Sequence, residues 1–513
     1  MAQETETASE PEPGRASKPP IGSMLKASSY YLVGAVAGRV AGFLFIPFYA
    51  RFLSPAQYGL IELIELSTQT VAMAFGLQAV GAALSRLFYD QDTPEGQQAV
   101  VSTSFIANGV LSALVMLVAV ALAHPLSQLV FHTDEWARLL QAAFVAMFFS
   151  NMIEVTLVYE RIRNNAGFFL GYSLVYLVAN LTLNILFIGV LDAGVWGFVS
   201  SKLVVSVFGS TFLLLRMRRD VGWHWRAAFL PGLVRLGAPL VLSSLSYFAI
   251  HFSDRFILSI NVSLADLGRY ALAFKLAILV SVLVGDSFAK SWEATLYRYV
   301  TTEGWQAQFA RVASYLVYAL FVTGLAIVLF SPELLRIMVP NDYFPPPQLM
   351  PLLVCSYIAR EIGDFFRSML LINKRAVRVS QIAAGAGLLS VAANLALIPY
   401  FGIYGAAAAL LTTWSCYMLA CWIIANREHR LPIRTGAMVR ILLLSVVIYA
   451  LATGTRVQGL FFQIVLDGLW VLAFAGVAVF GFFSAEERRG LIDFTGTVRA
   501  WVGDRVRLRQ AGA

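Results

Sequence analysis

The chain reads as an all-α polytopic membrane protein with about 14 transmembrane helices: two parallel six-helix lobes followed by two extra C-terminal helices. Three observations predict this. First, 58% of the 513 residues are hydrophobic and only 13% are charged, about half the charge of an ordinary soluble protein, and mean hydropathy is +0.71. Second, uninterrupted apolar runs of about 20 residues recur along the chain, the length of helix that crosses the hydrocarbon core. Only helices and closed barrels satisfy their backbone in lipid, and these runs lack a barrel's alternation. Third, the chain repeats itself. Arg51-Phe52 followed by Ser54-Pro55-Ala56-Gln57-Tyr58-Gly59 returns as Arg255-Phe256 followed by Ser263-Leu264-Ala265-Asp266-Leu267-Gly268. Gly194-Val195-Trp196-Gly197 returns as Gly402-Ile403-Tyr404-Gly405, and Asn180-Leu181-Thr182-Leu183 as Asn394-Leu395-Ala396-Leu397. Landmarks in one order at nearly one spacing indicate a duplicated unit.

Residues 1–28 are polar, acidic and rich in proline, without an apolar core. They read as a disordered cytoplasmic tail and not as a cleaved signal peptide. The first lobe, 29–215, holds spans at 29–50, 60–84, 99–122, 137–158, 167–190 and 195–215. The second, 229–424, holds 233–260, 268–290, 311–330, 350–372, 378–398 and 403–424. Two further spans, 437–453 and 460–483, lie outside the repeat, and 484–513 is a charged cytoplasmic tail with an amphipathic stretch. With the N-terminus inside, the inner segments carry 26 of the 38 Lys and Arg and the outer loops five (Arg51, Arg138, Arg269, Arg336 and Arg456). That bias puts both termini on the cytoplasmic side. Six spans separate equivalent positions, so the lobes share one orientation and relate by an axis along the membrane normal. An interface between such lobes suggests a central cavity and alternating access. Pro47, late in span 1, and Pro239, early in span 7, are hinges or static kinks.

The net charge of +8 sits in loops, where topology accounts for it, so no nucleic-acid partner is implied. Cys355, Cys416 and Cys421 fall in spans without metal or redox spacing, and the five histidines are scattered. There is no P-loop, zinc motif or nucleophile elbow, which argues against a primary pump or an enzyme and implies no cofactor or metal.

Charges inside spans each cost about 2.5–3.5 kcal/mol at mid-bilayer and should face a cavity or a partner. Arg39, in AVAGRVAGF, has no acid within helical reach. It either lines an aqueous cavity and binds an anion or pairs with Glu62 or Glu65. Those two glutamates share a face of span 2 near its outer end and suit gating or a solvated structural role. Asp254 and Arg255 are adjacent and expected to point apart; Arg255 either snorkels to the outer interface or binds substrate. Lys275, in YALAFKLAILV, is the second candidate substrate cation. Span 10 carries Arg360, Glu361, Asp364 and Arg367, of which Arg360 and Asp364, four apart, can neutralise one another. Glu154 and Lys202 are lone charges without an assigned role.

The stretch AGRVAGFLFIPFYARFLSPAQYGLIELIELSTQ with FGLQAVGAALSRLFYD, and SDRFILSINVSLADLGRYALAFKLAILV in the second half, resemble the polysaccharide-export flippases of the Wzx type. NLTLNILFIGVLDAGVWG and NLALIPYFGIYGAAAALL resemble the openings of that family's sixth and twelfth helices. The resemblance spans about residues 25–450. It places the chain in the multidrug/oligosaccharidyl-lipid/polysaccharide exporter superfamily, whose two lobes form a V. It implies movement of an undecaprenyl-diphosphate-linked oligosaccharide across the bacterial inner membrane, for surface polysaccharides such as lipopolysaccharide or exopolysaccharide. It also implies membrane lipids and polysaccharide polymerase or glycosyltransferases as partners. Gly38-Arg39-Val40-Ala41-Gly42-Phe43 is similar to a helix-1 stretch of the lipid II flippases whose Arg matters for transport, and Tyr270 to Lys275 lies near a helix-8 cation of theirs. Two departures stand out. Span 1 lacks the acid that drug antiporters of the superfamily carry, and Asn394 lacks the following acid of sodium-binding relatives. The competing readings are a drug/cation antiporter and a membrane scaffold of a polysaccharide synthase complex. Arg39 argues against the first, and lone intramembrane cations have no purpose in the second.

Overall fold

A computed structural model of the chain describes residues 42–483 apart from 78, 301–302 and 373–375, together with Tyr30 and Arg488. Arg39, most of span 1 and both predicted tails lie outside the described residues. Among the described residues the secondary structure is helical throughout.

The helices are α1 (Ile46–Phe52), α2 (Pro55–Ala74), α3 (Ala79–Tyr89), α4 (Pro94–Ala121), α5 (Ala123–Phe131), α6 (Ala137–Ile162), α7 (Ala166–Asn184) and α8 (Gly194–Val221). They continue as α9 (Leu230–Asn261), α10 (Leu264–Ala277), α11 (Asp286–Tyr299), α12 (Trp305–Met338), α13 (Leu349–Ile372), α14 (Ala376–His429), α15 (Thr435–Gly454) and α16 (Leu460–Phe482). By length and hydropathy nine of the described helices can cross a membrane, or eleven when two bent pairs count as one span each. The remaining predicted spans are the partly described first, span 10, and span 12. Span 10 is α13, which concentrates four charges within two turns, at Arg360, Glu361, Asp364 and Arg367. Span 12 is continuous with span 11 in α14, where Pro399 and the positive φ of Gly402 mark the break.

Local chemistry explains the helix starts. Ser54 caps α2 by accepting from the Gln57 amide, while the Gln57 side chain accepts from the Ser54 amide, and Pro55 fills the first turn. This reciprocal box satisfies two donors that a helix start leaves unpaired. Ser263 caps α10 by accepting from the Asp266 amide, while its hydroxyl donates to Asp266 Oδ2 at 2.8 Å, so the sequence repeat is also a repeat of helix starts. Pro239 lies in the 45° bend between Ala227–Pro239 and Ser244–Asn261. Span 2 is broken by 42° between α2 and α3, at Gly76, whose φ of +67 favours glycine. Pro47 does not kink a helix interior: it occupies the first turn of α1 after a break at Phe45.

The first half packs α2, α4, α6 and α8 together, and the second packs α9, α13 and α14. The halves meet chiefly along α2 and α10, with α9 also lying against α2 and α3. The α2–α10 contact is held by two glycines 209 positions apart. A side chain on Gly59 would strike the Leu264 carbonyl, and one on Gly268 would strike the Pro55 carbonyl. Leu264 and Pro55 are themselves 209 apart. At the same end, Tyr343 in the loop between α12 and α13 donates to the Leu53 carbonyl at 2.8 Å and meets the Tyr58 ring edge-on at 6.0 Å. Burial raises the Tyr343 hydroxyl pKa, so it stays protonated and keeps donating.

Candidate functional site

Residues 58, 62 and 65 recur at helical spacing, so Tyr58, Glu62 and Glu65 form one face of α2. Gly59 draws α10 so close that Lys275, two turns beyond Gly268, reaches across to this face. Its ammonium lies 3.0 Å from Glu62 Oε2 and donates to Tyr58 Oη at 3.0 Å, 4.8 Å from the Tyr58 ring centre. Glu62 also faces Arg255 of α9, whose Nε lies 3.4 Å from Oε1. That separation pairs the charges, but Nε makes no hydrogen bond.

Arg255 is 1% exposed and does not snorkel. Its Nη1 donates to the His251 carbonyl at 2.8 Å and to Asp254 Oδ1 at 3.1 Å, and its Cζ sits 3.8 Å over the Phe274 ring. Asp254 and Arg255 therefore meet, contrary to the expectation from adjacency, because the guanidinium folds back along its own helix. Tyr270 of α10 donates to the other Asp254 oxygen at 2.6 Å. An isolated buried charge is costly, whereas this cluster pairs two cations with two carboxylates and ties α9 and α10 to α2.

One turn further along α2, Lys202 of α8 donates to Glu65 at 3.0 Å. This pair borders a cavity of about 800 Å³ enclosed by α2, α3, α6 and α8 and lined among others by Thr68, Gln69, Asn151, Glu154 and Arg161. Lys202 and Glu154 both line it, and Glu154 faces Arg161 at 3.2 Å. Among the described residues the cation facing Glu65 is Lys202; Arg39 lies outside them.

The charges of α13 form a separate group. Arg367 Nε donates to Asp364 at 2.9 Å, and Tyr417 of α14 donates to the same oxygen at 2.9 Å. Arg360 lies further off, at 3.7 Å from Asp364 and 3.8 Å from Glu361, with its Cζ 5.6 Å from the Trp414 ring. The principal partner of Asp364 is thus Arg367. Glu361 accepts from Ser281 at 2.5 Å and packs against Gly285. Asn394 donates to Ser253 at 3.1 Å, and its carbonyl oxygen has no partner. Among the described residues no cluster of His, Cys, Asp or Glu is arranged to hold a metal.

The structure brings Lys275, Arg255 and Glu62 together, sets Glu65 beside them with Lys202, and puts Arg360, Asp364 and Arg367 elsewhere. Sequence reasoning missed Tyr58 as the hydroxyl partner of Lys275, although it stands inside the repeated motif beside Gly59. It also missed the Lys202–Glu65 pair, which no local spacing announces.

Comparison with known proteins gives a consistent picture. The profile of the family described as polysaccharide biosynthesis protein matches residues 48–345. A Haemophilus influenzae (strain KW20 / Rd) protein described as Lsg locus putative protein 1 is 24% identical over 269 residues, 51% of this chain, and the match spans only 63% of that relative. Among solved structures, the lipid II flippase MurJ in an inward closed conformation superposes with a TM-score of 0.71 at 12% identity, covering 88% of this chain and 98% of that one. An inward-facing multidrug resistance MATE family transporter of the MOP superfamily gives 0.63 at 16%, covering 78% and 98%. These structural likenesses concern the fold. The chain is a multi-pass membrane protein of the polysaccharide biosynthesis protein family, built on the helical fold of those transporters.

Proposed function

We propose that the protein is a transporter that moves a lipid-linked oligosaccharide, carried on undecaprenyl diphosphate, across the bacterial inner membrane by alternating access. Both termini would be cytoplasmic, and the protein would supply a polysaccharide polymerase or work beside glycosyltransferases. The single observation that carries this reading is Lys275. It is a cation on the second half whose carboxylate partner, Glu62, belongs to the first half, and its side chain is 39% exposed. A diphosphate is a better multidentate acceptor than one carboxylate oxygen, and it can take over Lys275 and Arg255 from Glu62. Releasing Glu62 loosens α2 from α9 and α10, which couples binding to separation of the halves. Arg39 would add a third cation.

The reciprocal contacts of Gly59 and Gly268 support lobes at 29–215 and 229–424 related by a two-fold axis along the helices, with 437–483 outside them. By the charge bias the capped ends of α2 and α10 face outward, so this contact closes the outer side. An inside-negative potential favours outward passage of the anion, by about 2.3 kcal/mol per charge per 100 mV. The test is accumulation of lipid-linked oligosaccharide on the inner leaflet of cells carrying Lys275→Ala, with protein level followed in parallel. Accumulation at normal protein level is the expected result, and unimpaired flipping removes Lys275 from the mechanism.

A further inference from the structure

We propose that the groove between α7 and α8 is a lateral portal in which the polyprenyl tail lies as the substrate enters, with its polar head in the cavity beside Glu65 and Lys202, one turn of α2 from the Glu62 cluster that the diphosphate then takes over. This inference rests on the substrate class proposed above. It puts the tail within the first half and not between the two halves.

Three observations carry it. The groove, about 520 Å³ in volume, is lined by apolar side chains around a floor of stacked rings. Phe168, Tyr172 and Tyr176 follow one another along α7 with centroids 6.2 and 6.1 Å apart, and Phe212 of α8 stacks on both Phe168 and Tyr172 at 6.4 Å. Flat rings give a rigid face that suits the planar, methyl-branched units of an isoprenoid.

The groove also borders the polar cavity through shared walls. Tyr172 and Tyr176 line both the groove and a hollow of about 330 Å³ on the other side of α7, and Ser150 and Glu154 line both that hollow and the cavity. The phenol of Tyr176 lies 3.0 Å from Ser206 Oγ, which lies 2.9 Å from Ser150 Oγ. A molecule with a polar head and an apolar tail can therefore reach from one space to the next where these shared side chains part. Finally, the Tyr172 hydroxyl is buried at the junction with no partner, over Gly209. An unpaired buried hydroxyl costs free energy unless something supplies a partner, and a sugar or phosphate oxygen passing through the portal can do so.

The experiment uses the full chain in nanodiscs with two photoreactive probes, a polyprenyl-diphosphate sugar and a phosphatidylglycerol, each bearing a diazirine in its tail. Gly171→Trp obstructs the groove, since a Cβ at Gly171 meets nothing within 4 Å. Gly167→Trp, equally unhindered but outside the lining residues, is the control for folding. The expected result is saturable labelling of α7 and α8 by the polyprenyl probe. Gly171→Trp should reduce it at least about tenfold, as expected for excluding two or so methylenes, and Gly167→Trp should leave it unchanged. Equal labelling and competition by phosphatidylglycerol overturns the portal, marking the groove as a bulk-lipid surface. Saturable labelling confined to another face overturns the portal and leaves the substrate class standing. Absence of saturable labelling anywhere overturns both.

Discussion

Gly59 and Gly268 touch reciprocally: each presses its bare Cα against the other helix, at the carbonyl four residues before its partner. Reciprocal contact between equivalent positions is the mark of a two-fold axis. Between helices running the same way, that axis lies along them. Gly59→Ala and Gly268→Ala therefore face the same obstruction, a backbone carbonyl that cannot swing aside. Each should lower stability by about 1–3 kcal/mol, and the two losses should match within about 0.5 kcal/mol, the usual scatter of such values. Thermal unfolding of the purified variants measures this. One variant neutral and the other severe would contradict the two-fold equivalence.

Arg255 and Lys275 share Glu62 but differ in burial, at 1% exposure for Arg255 against a 39% exposed Lys275 side chain. Removing Arg255 strands Asp254 without its cation and should cost about 3–5 kcal/mol. Lys275→Met should cost clearly less, because its side chain is only partly buried and Glu62 still faces Arg255 when it is gone. Unfolding midpoints in detergent give the order, and a larger loss at Lys275 would reverse this assignment.

The latch between the halves can be tested apart from substrate binding. Glu62→Gln keeps the shape of the side chain and removes the charge that Lys275 and Arg255 face. A cysteine placed at Leu53, buried beside the capped end of α2, should then be labelled faster by a membrane-impermeant maleimide than in the parent background. An unchanged labelling rate would mean that the glycine contact alone holds that end shut.

Arg39 stands outside the described residues, so its test rests on sequence. Arg39→Ala should abolish export with the protein still inserted, and Arg39→Lys should retain part of it, since a point charge replaces a two-pronged donor. Inner-leaflet accumulation of the lipid-linked oligosaccharide is the readout. Normal flipping by well-expressed Arg39→Ala would show that this charge is idle or structural.

The Lys and Arg bias predicts the topology. Reporter fusions after Ser54 and after Arg218 should read outside and inside respectively, and the same side for both would sink the assignment.

The sequence by itself determined the helical class, the positions of most of the described spans, and the repeated motif with which α2 and α10 begin. All of these depend on local or periodic demands. A chain in lipid must close its backbone hydrogen bonds within each segment, and a helix start needs its cap within three residues. What only the tertiary structure decided is which charge meets which. Lys275 finds Tyr58 217 residues away, and Lys202 finds Glu65 across 137. Arg255 folds back onto the neighbour it was expected to avoid, and Asp364 takes Arg367 as its closer partner. Such pairings depend on how far each helix is rotated and how closely it crosses the next. Those quantities are set by packing, here by two glycines that let α2 and α10 approach, and no spacing along one helix contains them.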